Sequence, residues 1–211
     1  MTEREGVIKF TLDYEASAAK PFTAFHVLEA WRSICKETGL IGEDPARYDG
    51  YGFGNLSART RAGLMITGTQ TGALERLQEA DYAEVTEWCL AENRVRAIGP
   101  IKPSSESLTH AAVYEAFEDI QFVFHVHSPD IWCATEQLSI PCTPADVAYG
   151  TVAMALSLKA ITVELGVKGL MTMLGHEDGV MSWGPTAREA GELIISALAE
   201  ARAVGSSPGR I

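Results

Sequence analysis

The spacing of apolar and polar positions changes repeatedly along this chain, and each change marks an element. Val7 to Leu12 predicts a short strand. From Pro21 to Thr38, the apolar residues Phe25, Leu28, Ile34 and Cys35 recur at helical spacing, with Pro21 suited to a first turn. Tyr48 to Gly54 is rich in Gly and Tyr and predicts a loop. A strand pair follows, Leu56 to Thr60 and Leu64 to Thr67. Tyr82 to Leu90 and Val95 to Ile98 predict two more strands, turned at Glu92-Asn93. Ser105 to Phe117 predicts a helix whose opening hydroxyls suit capping. Beyond a central strand ending at Ser128-Pro129, Gly150 to Leu165 predicts a helix and Leu170 to Leu174 and Val180 to Trp183 two strands. Thr186 to Ala203 predicts the closing helix, and the tail from Gly205 to Gly209 is expected to fray. Helices before, between and after these strands predict a layered α/β arrangement around one central sheet.

Composition narrows the function class. With 211 residues, 46% of them hydrophobic, the chain can bury a substantial core. No apolar run approaches the roughly 20 residues of a membrane span, and the N-terminus lacks the apolar core of a secretory signal. Cys35, Cys89, Cys133 and Cys142 form no Cys-x-x-Cys pair and read as reduced, mostly buried thiols of a cytoplasmic protein. The formal charge of -11 argues against nucleic-acid binding. It leaves room for a small phosphorylated substrate held by a metal and by backbone donors.

The central strand carries the densest chemistry. It runs in through Gln121-Phe122-Val123-Phe124, and His125 and His127 follow two residues apart, facing the same side of a strand. Two adjacent imidazoles suit a divalent ion, and equally suit a hydrogen-bonded pair of strand histidines.

Five segments stand in one order. They are Gly54-Asn55-Leu56-Ser57, Ile66-Thr67-Gly68-Thr69-Gln70-Thr71-Gly72, Lys102-Pro103-Ser104-Ser105-Glu106, Val123-Phe124-His125-Val126-His127-Ser128, and Gly175-His176-Glu177-Asp178-Gly179. In this order and approximate spacing, the chain resembles the class II aldolase/adducin family of zinc-dependent sugar-phosphate aldolases and epimerases, over about residues 20–200. The resemblance implies one domain over residues 1–211, a three-layer αβα sandwich around a mostly antiparallel central sheet, assembled as a homotetramer. It implies Zn2+, or another divalent ion such as Mn2+, Co2+ or Fe2+, on His125, His127 and His176, and an acid/base role for Glu106.

Gly54, Asn55, Thr71, Gly72, Ser104 and Ser105 correspond to the family's phosphate pocket. Alone, a Gly-Asn or Thr-Gly pair reads as a turn; together, glycines and hydroxyls can cage an anion without Lys or Arg. The activity implied is a metal-dependent lyase, an aldolase working on a ketose phosphate or related hydroxycarbonyl through an enediolate. Epimerisation, dehydration or decarboxylation are alternatives, and a non-catalytic scaffold like the adducin head domain is a third.

Two departures from the family pattern stand out. Glu177-Asp178 separates His176 from Gly179, where the family places Gly directly after the third histidine. The stretch from His127 to His176 is short, and the tyrosine that protonates the leaving fragment in family aldolases has no clear match; Tyr149 lies there, just before Gly150. Asp130, Asp146 and Tyr149 are candidates for assisting roles, with loop or core positions the plainer reading. Glu43, Asp44 and Asp49 read as surface charge.

Overall fold

The computed structural model describes residues 6–205. The chain forms β1 (Thr11–Ala16), α1 (Phe25–Glu37), β2 (Gly42–Glu43), β3 (Gly52–Phe53), β4 (Asn55–Arg59), β5 (Leu64–Thr67), β6 (Tyr82–Cys89) and β7 (Arg94–Gly99). These are followed by α2 (Ser107–Tyr114), β8 (Phe122–His127), α3 (Pro129–Cys133), β9 (Cys142–Thr143), α4 (Val152–Leu165), β10 (Gly169–Met173), β11 (Gly179–Gly184) and α5 (Ala187–Gly205). Nine strands make one sheet in the order β1-β7-β6-β5-β4-β8-β11-β10-β9. The outermost pairs, β1 with β7 and β9 with β10, are parallel, and the pairs between them are antiparallel.

Side-chain alternation sorts the sheet into two faces. Leu56, Ala58, Phe124, Val126 and Val180 pack into one core with Leu28 of α1, Ile131 of α3 and Ile194 of α5. Val123, Met181 and Trp183 pack into the other with Leu108, Ala111 and Ala112 of α2 and Met154 and Leu158 of α4. Helices thus cover both faces, giving the expected three-layer sandwich around a mostly antiparallel sheet. Because side chains alternate along β8, His125 and His127 share the α2/α4 side with Val123.

Several boundaries move, each for a visible reason. The first strand is Thr11–Ala16, not Val7 to Leu12. Phe10 is buried, while Leu12 and Tyr14 pack on the core from an edge strand whose Asp13 and Glu15 bridge to Arg96. The helix expected from Pro21 starts at Phe25. That expected from Ser105 starts at Ser107 with Glu106 as its N-cap, and it ends at Tyr114. The cysteines are all free, but Cys133 at the end of α3 and Cys142 on the edge strand β9 are exposed, so only Cys35 is a fully buried thiol. Of the expected tail, Gly205 closes α5 and the remainder lies outside the described residues.

Candidate active site

The three histidines converge. β8 delivers His125 and His127, and the turn between β10 and β11 delivers His176. All are buried, and their ligand-capable atoms lie within 4.8 Å of one another. His125 Nε2 and His127 Nε2 are 3.1 Å apart. Two nitrogens at about 2.05 Å from one tetrahedral ion would be roughly 3.3 Å apart, so this pair has the span a shared ion requires. A simple hydrogen-bonded pair would also give such a distance, but the third imidazole, with its ring centroid 5.1 Å from that of His125 and 4.8 Å from that of His127, favours an ion site. Burial, then the neighbouring His176 and Arg47, holds the His127 imidazole well below its ordinary pKa, the neutral form that a ligand needs. The donor set fits a divalent transition metal.

The Glu177-Asp178 spacer does not carry His176 away. The His176 amide donates to Met173 O at 2.9 Å and the Gly179 amide to His176 O at 3.0 Å, while Asp178 takes a left-handed conformation with φ 60°. The extra residues are absorbed in a tight turn. Neither carboxylate joins the histidine cluster among the described residues: Glu177 is exposed, and Asp178 accepts a 2.6 Å hydrogen bond from Tyr48 OH.

The six residues of the expected anion pocket line one small cavity together with Gly52, Gly68, Thr69 and Gln70. Its walls are two loops zipped by backbone bonds: Thr69 N to Lys102 O at 3.0 Å and Ser104 N to Thr67 O at 3.1 Å. Glycine is required at two points. Gly54 has φ 77°, and a Cβ at Gly72 would run into the Gly42 carbonyl. Ser104 Oγ accepts the Glu106 amide at 3.2 Å, which leaves its proton to donate, whereas Thr71 Oγ1 gives its proton to Gly68 O at 2.9 Å. Glu106 follows directly from this wall and is fully buried. A larger open crevice bordered by Phe22, Arg59, Arg61 and Glu84 contains none of these residues, so size alone does not mark the site.

Tyr149 stacks on His176 with ring centroids 4.5 Å apart, but its hydroxyl donates to Val7 O at 3.1 Å. It supports the histidine and points its acidic group elsewhere. Asp130 pairs with Arg202 at the surface, 3.0 Å apart.

Sequence reasoning missed three contributors, two on α1 and one in the loop before β3. Arg32 of α1 is buried and donates to Thr71 O at 2.9 Å and Leu74 O at 2.7 Å, fixing the loop of the anion pocket. Lys36, one turn on, donates to Gly72 O at 3.1 Å. A signal existed: Arg32 stands in the buried stripe with Leu28 and Cys35, an unusual place for an arginine. Tyr48, in the loop before β3, is the third; its ring centroid lies 4.7 Å from that of His127.

Comparison with known proteins shows the family and the fold. The family described as Class II Aldolase and Adducin N-terminal domain matches residues 45–203. A methylthioribulose-1-phosphate dehydratase of Xanthomonas oryzae pv. oryzae is 34% identical over 113 residues, which are 54% of this chain and 44% of that protein. The chain thus aligns with less than half of that relative's length. The crystal structure of L-fuculose-1-phosphate aldolase from Thermus thermophilus superposes with TM-score 0.66 at 20% identity, covering 88% of this chain and 98% of that one. A sugar-phosphate aldolase from Thermotoga maritima gives 0.64 at 13% identity, covering 88% and 97%. The fold is shared with both, and the chain belongs to the class II aldolase and adducin family.

Proposed function

We propose that this chain is a metal-dependent lyase acting on a phosphorylated hydroxycarbonyl compound. The observation that carries this reading is the adjacency of a buried three-histidine cluster to a small cavity lined by glycines and hydroxyls, joined through the pairing of Asn55 with His125. A divalent ion on His125, His127 and His176, with Zn2+ the first choice and Mn2+, Co2+ or Fe2+ the others, would polarise the substrate carbonyl as a Lewis acid. Ser104, Ser105, Asn55 and the amides of Gly54, Thr71 and Gly72 would hold the phosphate, using local donors in a chain whose net charge is -11.

Glu106 takes the proton from the carbon beside the carbonyl, in a site where burial excludes competing water. What leaves next decides the reaction. The 34% identity to a dehydratase favours departure of a β-hydroxyl, which takes up the proton that Glu106 has gained and leaves as water. Cleavage of a C–C bond is the second reading, favoured by likeness of fold to the fuculose-phosphate aldolase; there the β-hydroxyl would give up its proton, the C–C bond would break, and the Glu106 carboxyl would protonate the carbanion left beside the carbonyl. The Tyr149 hydroxyl, turned to Val7 O, does not face a departing carbon fragment. An adducin-like scaffold role is the least supported, since all three histidines are retained. We read residues 1–211 as a single domain that assembles as a homotetramer, an arrangement light scattering would test.

The test is a panel of ketose phosphates and their free sugars given to metal-loaded protein, with products identified by NMR. Loss of water from a phosphorylated member is expected. Two carbonyl fragments would select the aldolase reading, and turnover of free sugars alone would remove the phosphate pocket.

A further inference from the structure

Asp178 and Tyr48 meet across 130 residues of sequence, directly behind two of the three histidines. Tyr48 OH donates to Asp178 Oδ2 at 2.6 Å, and Arg47 Nη2 donates to Tyr48 OH at 2.6 Å. Arg47 also approaches Asp178 to 3.5 Å and lies over the rings of Tyr48 and Phe53, 4.8 and 4.7 Å from their centroids. The ring of Tyr48 meets that of His127 edge-on, centroids 4.7 Å apart at 68°, and Phe53 closes on His127 from 5.6 Å.

Asp178 is joined to both histidine-bearing segments. It stands two residues after His176, and its carbonyl accepts the amide of Ser128, the residue after His127, at 2.8 Å. Both ends of the contact sit on unfavourable backbone. Tyr48 and Asp49 have φ 51° and 56°, and Asp178 has φ 60°, values that residues other than glycine rarely adopt. Such conformations persist where the surroundings over-determine them, and they concentrate at functional sites. Asp178 also stands in the two-residue spacer between His176 and Gly179. No part of the proposed proton transfer uses any of these groups.

We propose that Arg47, Tyr48 and Asp178 form a clamp that positions His127 and His176 for the metal. The clamp locks the loop before β3 to the turn after β10. Its role is to slow loss of the ion, and all three are positioning residues. Groups that orient metal ligands typically change metal affinity by 10–100-fold when removed. This inference rests on the reading that the three histidines hold an ion.

The test follows metal release into a chromophoric chelator, together with the visible spectrum of Co2+-loaded protein. Tyr48→Phe keeps the ring on His127 and removes the hydroxyl that joins Arg47 to Asp178; Asp178→Asn weakens the same link from the other side. Each variant is expected to release metal about tenfold faster or more, with an altered cobalt spectrum. The double variant should fall short of the sum of the two single effects, because both include the Tyr48–Asp178 bond. Ile194→Val, in the core away from the clamp, reports what general destabilisation does and should leave release unchanged. Release and spectra equal to wild type in both clamp variants would overturn the clamp while leaving the metal site standing. Should Asp178→Asn fail to fold, Tyr48→Phe alone decides. Wild-type protein that takes up no cobalt would overturn the histidine site, and the clamp with it.

Discussion

Asn55 on β4 stands opposite His125 on β8 in the antiparallel register. The pairing joins the anion cavity, which Asn55 lines, to the histidine cluster. The amide oxygen of Asn55 is buried and makes no hydrogen bond among the described residues, so it can accept from a substrate hydroxyl, while Nδ2 of the same amide is the atom that would donate to the phosphate. Asn55→Ala should therefore raise KM for the phosphorylated substrate about tenfold or more, since a hydrogen bond to a charged group contributes about 1.5–3 kcal/mol. Steady-state kinetics with metal analysis checks this. Loss of metal in the variant would instead show that Asn55 serves to hold His125.

Glu106 is assigned the proton transfer because it is fully buried at the head of α2, directly after the Ser104-Ser105 wall of the anion cavity. Glu106→Gln is expected to keep its fold and metal and to lose about 10²–10⁴-fold in kcat. Preserved turnover with a lowered melting temperature would mean that the carboxylate is structural.

Much of this was legible in the sequence. His125 and His127 betray themselves by a spacing of two in an apolar strand, and alternation located the central strands to within a residue or two. The glycine and hydroxyl segments were legible as a set and uninformative singly, because each alone is an ordinary turn. What stayed hidden depends on chain crossings. Tyr48 meets Asp178, and Arg32 meets Thr71, through contacts that no local pattern encodes. The first strand was placed too early because Ile8 and Phe10 are apolar without being in a strand, while β1 carries charge on its exposed positions.

Arg32 offers a separate check on the anion pocket. Arg32→Met removes the donors to the Thr71 and Leu74 carbonyls while keeping much of the side-chain volume. Stranding buried acceptors costs about 1–3 kcal/mol each. The variant should melt at lower temperature and bind phosphorylated substrate more weakly, with metal content unchanged. Denaturation curves and KM together decide; an unaltered KM would detach this loop from phosphate binding.

The histidine of α2 predicts a pH dependence of stability. His110 is fully buried, its Nδ1 is 2.7 Å from Ser57 Oγ, and burial pushes its pKa down to about 3. In the unfolded chain it would titrate near 6.5. The folded form stays neutral while the unfolded form takes up a proton as pH falls through about 6.5. The stability is thus fully present above that pH and is lost progressively towards about 3, at up to about 1.4 kcal/mol per pH unit. Urea denaturation between pH 7 and 4 should show a shallower dependence for His110→Gln, by as much as one proton. Identical slopes would mean that His110 can be protonated within the fold.

The central claim is that His125, His127 and His176 hold the ion on which activity depends. Elemental analysis of purified wild type against His125→Ala, after equilibration with Zn2+ and removal of excess, tests it most directly. About one equivalent per chain is expected in wild type, with a large loss in the variant together with its turnover. Equal metal content in the two proteins would contradict the claim.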